Sequence, residues 1–221
     1  MYKKFAYVYD SLVDVNYNEL LDIINENVKE GSTILDLACG TGTMINLLSQ
    51  AGYNMIGADI SEEMLEIARG KNPDSRLFVH DLKEDFFIEP LDAITCSVDS
   101  MNYLLNIHEV ENLIKNVSKN LEWGTFIFDV HSESKLNTLN DYIHVDLDED
   151  LSYIWKVDVI DNYLNHYLTF FVNDEGLYER FDEEHVQKVY KEEEYQNLLT
   201  KYGFTFECKY LEDRIVFICN K

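Results

Sequence analysis

The sequence has little proline, two residues in 221 (Pro73 and Pro90), and no Gly/Ser-rich stretch separates its apolar blocks. That argues against a long flexible linker and for one domain with embellishments. Basic residues are scarce as well, 18 Lys and Arg against 42 Asp and Glu, for a formal net charge of −24. The deficit runs along the whole chain: 10 basic against 23 acidic side chains in residues 1–140, and 8 against 19 in residues 141–221. No basic segment is therefore held back for a phosphate backbone or an anionic membrane. The four cysteines (Cys39, Cys96, Cys208 and Cys219) form no C-x-x-C pair and no Cys/His cluster, which removes the usual signature of a bound metal. Free thiols in a reducing compartment are the expectation. Residues 1–10 lack the apolar core of a signal peptide, and no run has the length needed to span a bilayer. These absences lead us to expect a cytoplasmic protein with neither nucleic-acid nor membrane partners, as a monomer or a homodimer.

What is present is material for a packed core: 46% apolar residues, 13% of the chain aromatic. Residues 33–130 alternate short apolar runs with helical patterns, which predicts βαβ units and a parallel sheet. Thr33–Ala38, Asn54–Asp59, Arg76–His80, Asp92–Val98 and Thr125–Val130 read as strands. Helices are predicted over Thr43–Ala51, from the cap at Ser61, and over Ile107–Leu121. The period then changes. Residues 142–147, 151–160, 163–172 and 177–190 favour β-branched and aromatic side chains between polar turns, the pattern of an antiparallel meander. A helix over Lys191–Tyr202, capped by Gly203, and a hairpin of Phe204–Tyr210 and Arg214–Asn220 complete the chain. Charge clusters at Asp146–Asp150, Asp182–Glu184 and Glu192–Glu194 read as solvated turns and helix starts.

The chemistry is concentrated where strands end. Ile34-Leu35-Asp36-Leu37-Ala38-Cys39-Gly40-Thr41-Gly42 is an apolar strand entering a small-residue turn that opens a helix. Small residues let backbone approach a ligand, and a helix N-terminus offers free N–H groups. A dinucleotide fingerprint would place a third glycine where Ile45 stands. The stretch instead resembles motif I of the Rossmann-like (class I) S-adenosylmethionine-dependent methyltransferases, of the bacterial small-molecule type. The resemblance implies an α/β fold: a seven-stranded, mostly parallel Rossmann-like sheet with helices on both faces and the antiparallel meander inserted after the fifth strand. Within one domain, an N-terminal helical lid would occupy about 1–30, the cofactor-binding core about 31–140 and 191–221, and the inserted subdomain about 141–190.

It further implies S-adenosylmethionine as cofactor and a role for each matching position. Asp36 would meet the methionine amino group, and Ala38, Cys39, Gly40, Thr41 and Gly42 would hold the amino-acid part. Asp59, at the end of the second strand, is placed to accept from both ribose hydroxyls, with Ile60 against the adenine. Asp81 and Leu82 would serve the adenine amino group and ring. Asp99, after the fourth strand, would touch the methionine portion where the acceptor pocket begins, with Asn102 and Tyr103 on the substrate side. No Asn/Asp-Pro-Pro-Tyr/Phe signature of many nucleic-acid and glutamine N-methyltransferases occurs there.

Tyr9, in Phe5-Ala6-Tyr7-Val8-Tyr9-Asp10, resembles a lid tyrosine whose ring lies near the positive sulfur; Phe5, Tyr9 and Leu12 would equally dock a helix by ordinary packing. His131 follows the fifth strand and is the general-base candidate, needed for a hydroxyl acceptor and dispensable for a neutral amine. His185 would reach the same pocket from the meander. Trp155, Tyr163, Tyr167 and Phe171 would either line a roof over the acceptor or fill a second core. The expected reaction is methyl transfer to nitrogen or oxygen of a small molecule. A catalytically silent cofactor-binding module and another nucleotide-using Rossmann enzyme are the alternatives.

Overall fold

The computed structural model describes residues 2–12, 15–88 and 90–221. Two helices, α1 (Tyr2–Leu12) and α2 (Tyr17–Asn27), precede the alternating core. The core runs β1 (Thr33–Leu37), α3 (Thr43–Gln50), β2 (Asn54–Asp59), α4 (Glu62–Lys71), β3 (Arg76–Val79), β4 (Ala93–Cys96), α5 (Ile107–Asn120) and β5 (Thr125–His131). A short helix α6 (Ser134–Thr138) leads into β6 (Tyr142–Asp146), β7 (Leu151–Ile160), β8 (Tyr163–Asp174) and β9 (Leu177–Lys188). The chain returns through α7 (Glu192–Lys201) to the hairpin β10 (Thr205–Leu211) and β11 (Arg214–Asn220).

One sheet has seven strands in the order β10-β11-β5-β4-β1-β2-β3. All its neighbours are parallel except around β11, which runs antiparallel to both β5 and β10. The order reverses between β1 and β4, and at such a switch point the loops leaving the carboxyl ends diverge and open a crevice. All seven residues of β5 are buried, as expected of a strand covered on both faces. Asp129 lies within that run, so its carboxylate must find partners inside the protein.

The second sheet is the predicted meander, ordered β6-β7-β8-β9 and antiparallel throughout. Its side chains separate by the two-residue period of a strand. Register aligns Trp155 with Leu168, Val157 with His166, and His166 with His185. The face carrying Trp155, His166, Leu168 and His185 turns toward the first sheet, and Phe170 on it is fully buried among Phe5, Ala6, Val8 and Met64. Helix α1, the expected lid, therefore docks through Phe5 against both α4 and the meander. Tyr163, Tyr167 and Phe171 share the opposite parity of β8, though the Tyr163 hydroxyl, at the strand's start, still donates to the Leu105 carbonyl at 3.4 Å. Of the four aromatic residues expected in a roof or a second core, Trp155 does both, lining the cavity and packing against the Leu139, Val157, Leu164 and Val189 cluster.

Most element ends fall within two residues of the sequence expectation. Ser61 caps α4 as anticipated, its Oγ accepting from the Met64 N–H at 3.2 Å. Gly203 adopts φ +84 after α7, the left-handed conformation that ends helices. No helix among the described residues is long and apolar enough to cross a membrane.

Candidate active site

Three cavities meet along the carboxyl edge of the seven-stranded sheet. The first, about 370 Å³, is lined by Asp59, Ile60, Ser61, Asp81 and Leu82. The second is narrow and lined by Tyr17, Asp36, Ala38, Cys39, Gly40 and Thr41. The third, about 330 Å³, lies under the meander between Asp99, His131, Trp155, His166, His185 and Gln187. Tyr9 forms part of the wall of all three. Its phenol is buried, and burial pushes its pKa well above the usual tyrosine value.

The turn after β1 is built for close approach. Ala38 and Gly40 have φ of +56 and +55, a region L-residues seldom enter. A Cβ placed on Gly40 would find only Tyr9 Cε1 within 4 Å, at 3.9 Å, so the turn's backbone faces open cavity. Gly42 serves a different purpose. A Cβ there would lie 2.6 Å from Asn72 Nδ2 and 2.9 Å from the Ala68 Cβ, so the absence of a side chain lets α3 start against the end of α4. Gly42 lines none of the three cavities.

Asp59 binds the same turn from beneath. Its Oδ2 accepts from the Gly40 N–H and its Oδ1 from the Ser61 N–H, each at 2.8 Å. Burial raises its pKa against these bonds, and each oxygen keeps a lone pair for a further donor. Asp36 is buried beside Thr95, whose hydroxyl donates to it at 2.7 Å. Burial, opposed by Thr95 and reinforced by Asp59, lifts Asp36 to about 7. Asp81 accepts from the Lys83 N–H at 2.9 Å, and Ile60, 63% exposed, offers an apolar surface beside it.

The loop after β4 carries backbone strain. Val98 and Asp99 have φ of +59 and +50, and a β-branched residue there is a genuine outlier that its surroundings must enforce. Asp129 does so: its carboxylate accepts from the Val98 N–H at 2.7 Å and from the Asp99 N–H at 2.9 Å. Arg214 pairs with Asp129 and, at 3.0 Å, with Asp99. Asp99 thus stands in the third cavity rather than at the narrow second one, both its oxygens engaged by Arg214 and by Gln187. Burial works against its charge, yet His131 and Arg214 hold its pKa down to about 2.

Asn102 departs from the substrate-binding role expected of it. It is fully buried, its Oδ1 accepting from the His131 N–H at 3.0 Å and its Nδ2 donating to the Lys188 carbonyl at 2.7 Å. Both ends are spent strapping β5 to β9, and Asn102 lines none of the three cavities. Tyr103 does reach the cavities, as does His185, whose ring packs 5.0 Å from that of Phe5. Burial lowers the pKa of His185, and takes His166 to about 4.

Sequence reading missed Gln187, Arg214, Asp129, His166 and the Asp10–Lys71 pair. Two of them left a trace: an acid inside Phe126-Ile127-Phe128-Asp129-Val130 and a base opening Arg214-Ile215-Val216-Phe217. Charges in runs that apolar require each other when buried. Gln187 and His166 left none, since strand register alone directs them.

Comparison with known proteins agrees with this geometry. A methyltransferase-domain family matches residues 34–124. The putative methyltransferase YqeM of Bacillus subtilis (strain 168) is 38% identical over 213 residues, 92% of this chain and 86% of its own. A crystal structure of an S-adenosylmethionine-dependent methyltransferase from Clostridium acetobutylicum superposes with a TM-score of 0.88 at 32% identity, covering 99% of this chain and 98% of that one. CalS10, an amino pentose methyltransferase from Micromonospora echinaspora seen with S-adenosylmethionine bound, shares the fold (TM-score 0.82, 18% identity, 100% and 97% covered). A strand-end acid before a left-handed small-residue turn, a second acid bonded to that turn and full-length kinship with these proteins lead to one conclusion: the chain belongs to the S-adenosylmethionine-dependent methyltransferases of Rossmann-like fold.

Proposed function

We propose that this protein transfers the methyl group of S-adenosylmethionine to a nitrogen or oxygen of a small molecule bound beneath the meander. The observation that carries this reading is that Tyr9 belongs to all three cavities. The adenosyl, methionine and acceptor parts of such a reaction must meet at one atom, and Tyr9 is the one residue among those described that lines all three cavities. An aromatic face is also a favourable neighbour for a sulfonium.

The residues present suit the cofactor. Asp59 and Ile60 take the ribose and one adenine face, Asp81 and Leu82 the adenine edge. Asp36, with Ala38, Cys39, Gly40 and Thr41, takes the methionine end; Gly42 supports the turn from behind. The bound cofactor supplies an electrophilic methyl group, and what remains for the chain is orientation, exclusion of water and management of one proton. His131 is the residue for the proton: it is 5% exposed, lines the acceptor cavity, and its Nδ1 has no hydrogen-bond partner among the described residues. Tyr103 and His185 border both large cavities and orient the acceptor toward Tyr9.

A cavity near 330 Å³ is the size of a small-molecule site. Together with the acidic charge, it supports a free metabolite over a nucleic acid as acceptor, for a cytoplasmic protein acting as a monomer or homodimer. Titration calorimetry with S-adenosylmethionine, S-adenosylhomocysteine and NAD tests the cofactor assignment. Binding of both sulfur compounds is expected, and NAD binding without either would sink it. Release of S-adenosylhomocysteine across a metabolite panel then separates a turning enzyme from a silent cofactor-binding module.

A further inference from the structure

We propose that Gln187 is the positioning residue that makes His131 a proton acceptor, by deciding which ring nitrogen carries the hydrogen. The inference rests on His131 being the base of the reaction proposed above and deepens it, because it also specifies what the acceptor must bring.

The Gln187 amide lies between Asp99 and His131. Its Nε2 is 2.7 Å from Asp99 Oδ2, and its Oε1 is 3.0 Å from His131 Nε2. Asp99 is ionised, paired with the Arg214 guanidinium at 3.0 Å, and an ionised carboxylate only accepts. The amide therefore has one orientation: its NH₂ faces Asp99 and its carbonyl faces His131. A carbonyl also only accepts, so His131 Nε2 must carry the hydrogen. In the neutral ring the lone pair is then on Nδ1, a buried nitrogen with no hydrogen-bond partner among the described residues, on a ring that lines the cavity.

A neighbouring histidine has the same tautomer but the other nitrogen engaged. Trp155 Nε1, which can only donate, lies 3.1 Å from His166 Nδ1, so the hydrogen of His166 is on Nε2. Of two histidines lining one cavity, His166 has a donor at its remaining nitrogen and His131 an acceptor. A buried acceptor without a partner is costly in a resting protein and is retained where a ligand will satisfy it.

The acceptor accordingly arrives with a proton on its reacting atom, as a hydroxyl or an ammonium does. An ammonium first gives its proton to His131 Nδ1, which frees the lone pair that attacks. A hydroxyl oxygen instead attacks with a pair it already has and passes its proton to Nδ1 as it does so. In both cases that pair forms the bond to the methyl carbon and the carbon–sulfur pair leaves with sulfur. The resulting imidazolium has its Nε2 3.6 Å from Asp99 Oδ2, where the carboxylate offsets the new charge. The proton leaves to solvent once product has gone.

Long-range ¹H–¹⁵N correlation spectra of the cofactor-free protein read the tautomer directly, with the His131 signals identified by their loss in His131→Gln. A protonated Nε2 and a bare Nδ1 are expected for His131 in the wild type. In the near-isosteric Gln187→Met the two nitrogen shifts should move toward each other as both tautomers become populated. A wild-type His131 protonated on Nδ1, or shifts unchanged in Gln187→Met, would overturn the proposal. With any acceptor that turns over, Gln187→Met should lower kcat by about tenfold or more with KM for S-adenosylmethionine unchanged; an unaltered kcat counts against it. Calorimetry keeps the two levels apart. The expected tautomer without S-adenosylmethionine binding upholds Gln187 and sinks the methyltransferase reading, whereas binding with the wrong tautomer does the reverse.

Discussion

Lys71, the last residue of α4, reaches the Asp10 carboxylate on α1 at 2.5 Å. The contact joins α1 to the turn after β1, because the Thr41 hydroxyl donates to the other Asp10 oxygen at 2.6 Å and the ammonium also reaches Thr41 and Thr43. Phe5, Ala6 and Val8 supply the apolar half of the docking, and the Asp10 cluster places the polar half directly over the turn. The position of α1 and the shape of the narrow cavity are thereby coupled through Asp10 and Thr41.

Asp10→Asn should therefore speed cofactor release more than it lowers stability. Both partners are partly exposed, so the pair is worth at most about 1 kcal/mol to folding. A roughly three- to tenfold faster dissociation of S-adenosylhomocysteine in stopped-flow fluorescence is expected, with the melting temperature within a few degrees of wild type. Release at the wild-type rate would show that α1 is held by its apolar face alone.

Asp59→Ala should weaken S-adenosylmethionine binding by more than about tenfold, the scale of lost charge-assisted hydrogen bonds. It also strips the Gly40 and Ser61 N–H groups of their acceptor, so part of the loss comes from a loosened turn. Calorimetry on the variant measures it; undiminished affinity would refute the ribose assignment.

Asp36 makes both cofactor affinity and stability depend on pH. With its carboxyl raised to about 7 by burial, the cofactor-free protein holds a proton there that a cofactor ammonium would displace. Affinity for S-adenosylmethionine should climb from pH 6 to pH 8 with proton release at the lower end, visible as calorimetric enthalpies that vary with the buffer; Asp36→Asn should abolish the slope. For folding the sign is the reverse. The unfolded carboxyl ionises near its ordinary 3.8 while the folded one keeps its proton up to about 7. Asp36 thus subtracts stability as pH rises through that window. Urea titrations at pH 5 and pH 8 should show a smaller difference in Asp36→Asn than in wild type.

Asp129→Ala should be among the most damaging single changes, at about 3–5 kcal/mol, because it leaves the buried Arg214 guanidinium without its nearest partner. It also releases the Val98 and Asp99 N–H groups from the strained turn. The double variant Asp129→Ala/Arg214→Met should recover part of the loss in urea unfolding. No recovery would mean that the turn, and not the stranded charge, dominates the cost.

The residues that line the first two cavities were largely legible in the sequence as a group, for a local reason. Asp36, Ala38, Cys39, Gly40 and Thr41 follow one another along a single strand and turn, and Asp59, Ile60, Asp81 and Leu82 end the next strands of a sheet whose parallel order the alternating pattern already implied. Gly42 shows the limit of that reading. A glycine at the turn was foreseen, but the reason for it lies 26 and 30 residues away, in the contacts with Ala68 and Asn72. Asn102 shows it again, since a polar residue at a loop facing the acceptor reads as a ligand contact until both its amide ends are found bonded to backbone.

By itself the sequence determined the α/β core, the meander and the strand-end acids, because strand and helix periods, turn residues and strand ends are properties of neighbouring residues. Only the tertiary structure decided the acceptor half. A one-residue change of register would send His166, His185 and Gln187 to the outer face of the meander, and nothing within β8 or β9 says which face will meet His131. The pairing of Arg214 with Asp129 and Asp99, across separations of 85 and 115 residues, is likewise a consequence of β11 entering antiparallel beside β5. The burial of His131 and its contacts with Asp99 and Gln187 follow from that one juxtaposition, since a buried hydrogen-bond network is defined by which groups the fold leaves to satisfy one another.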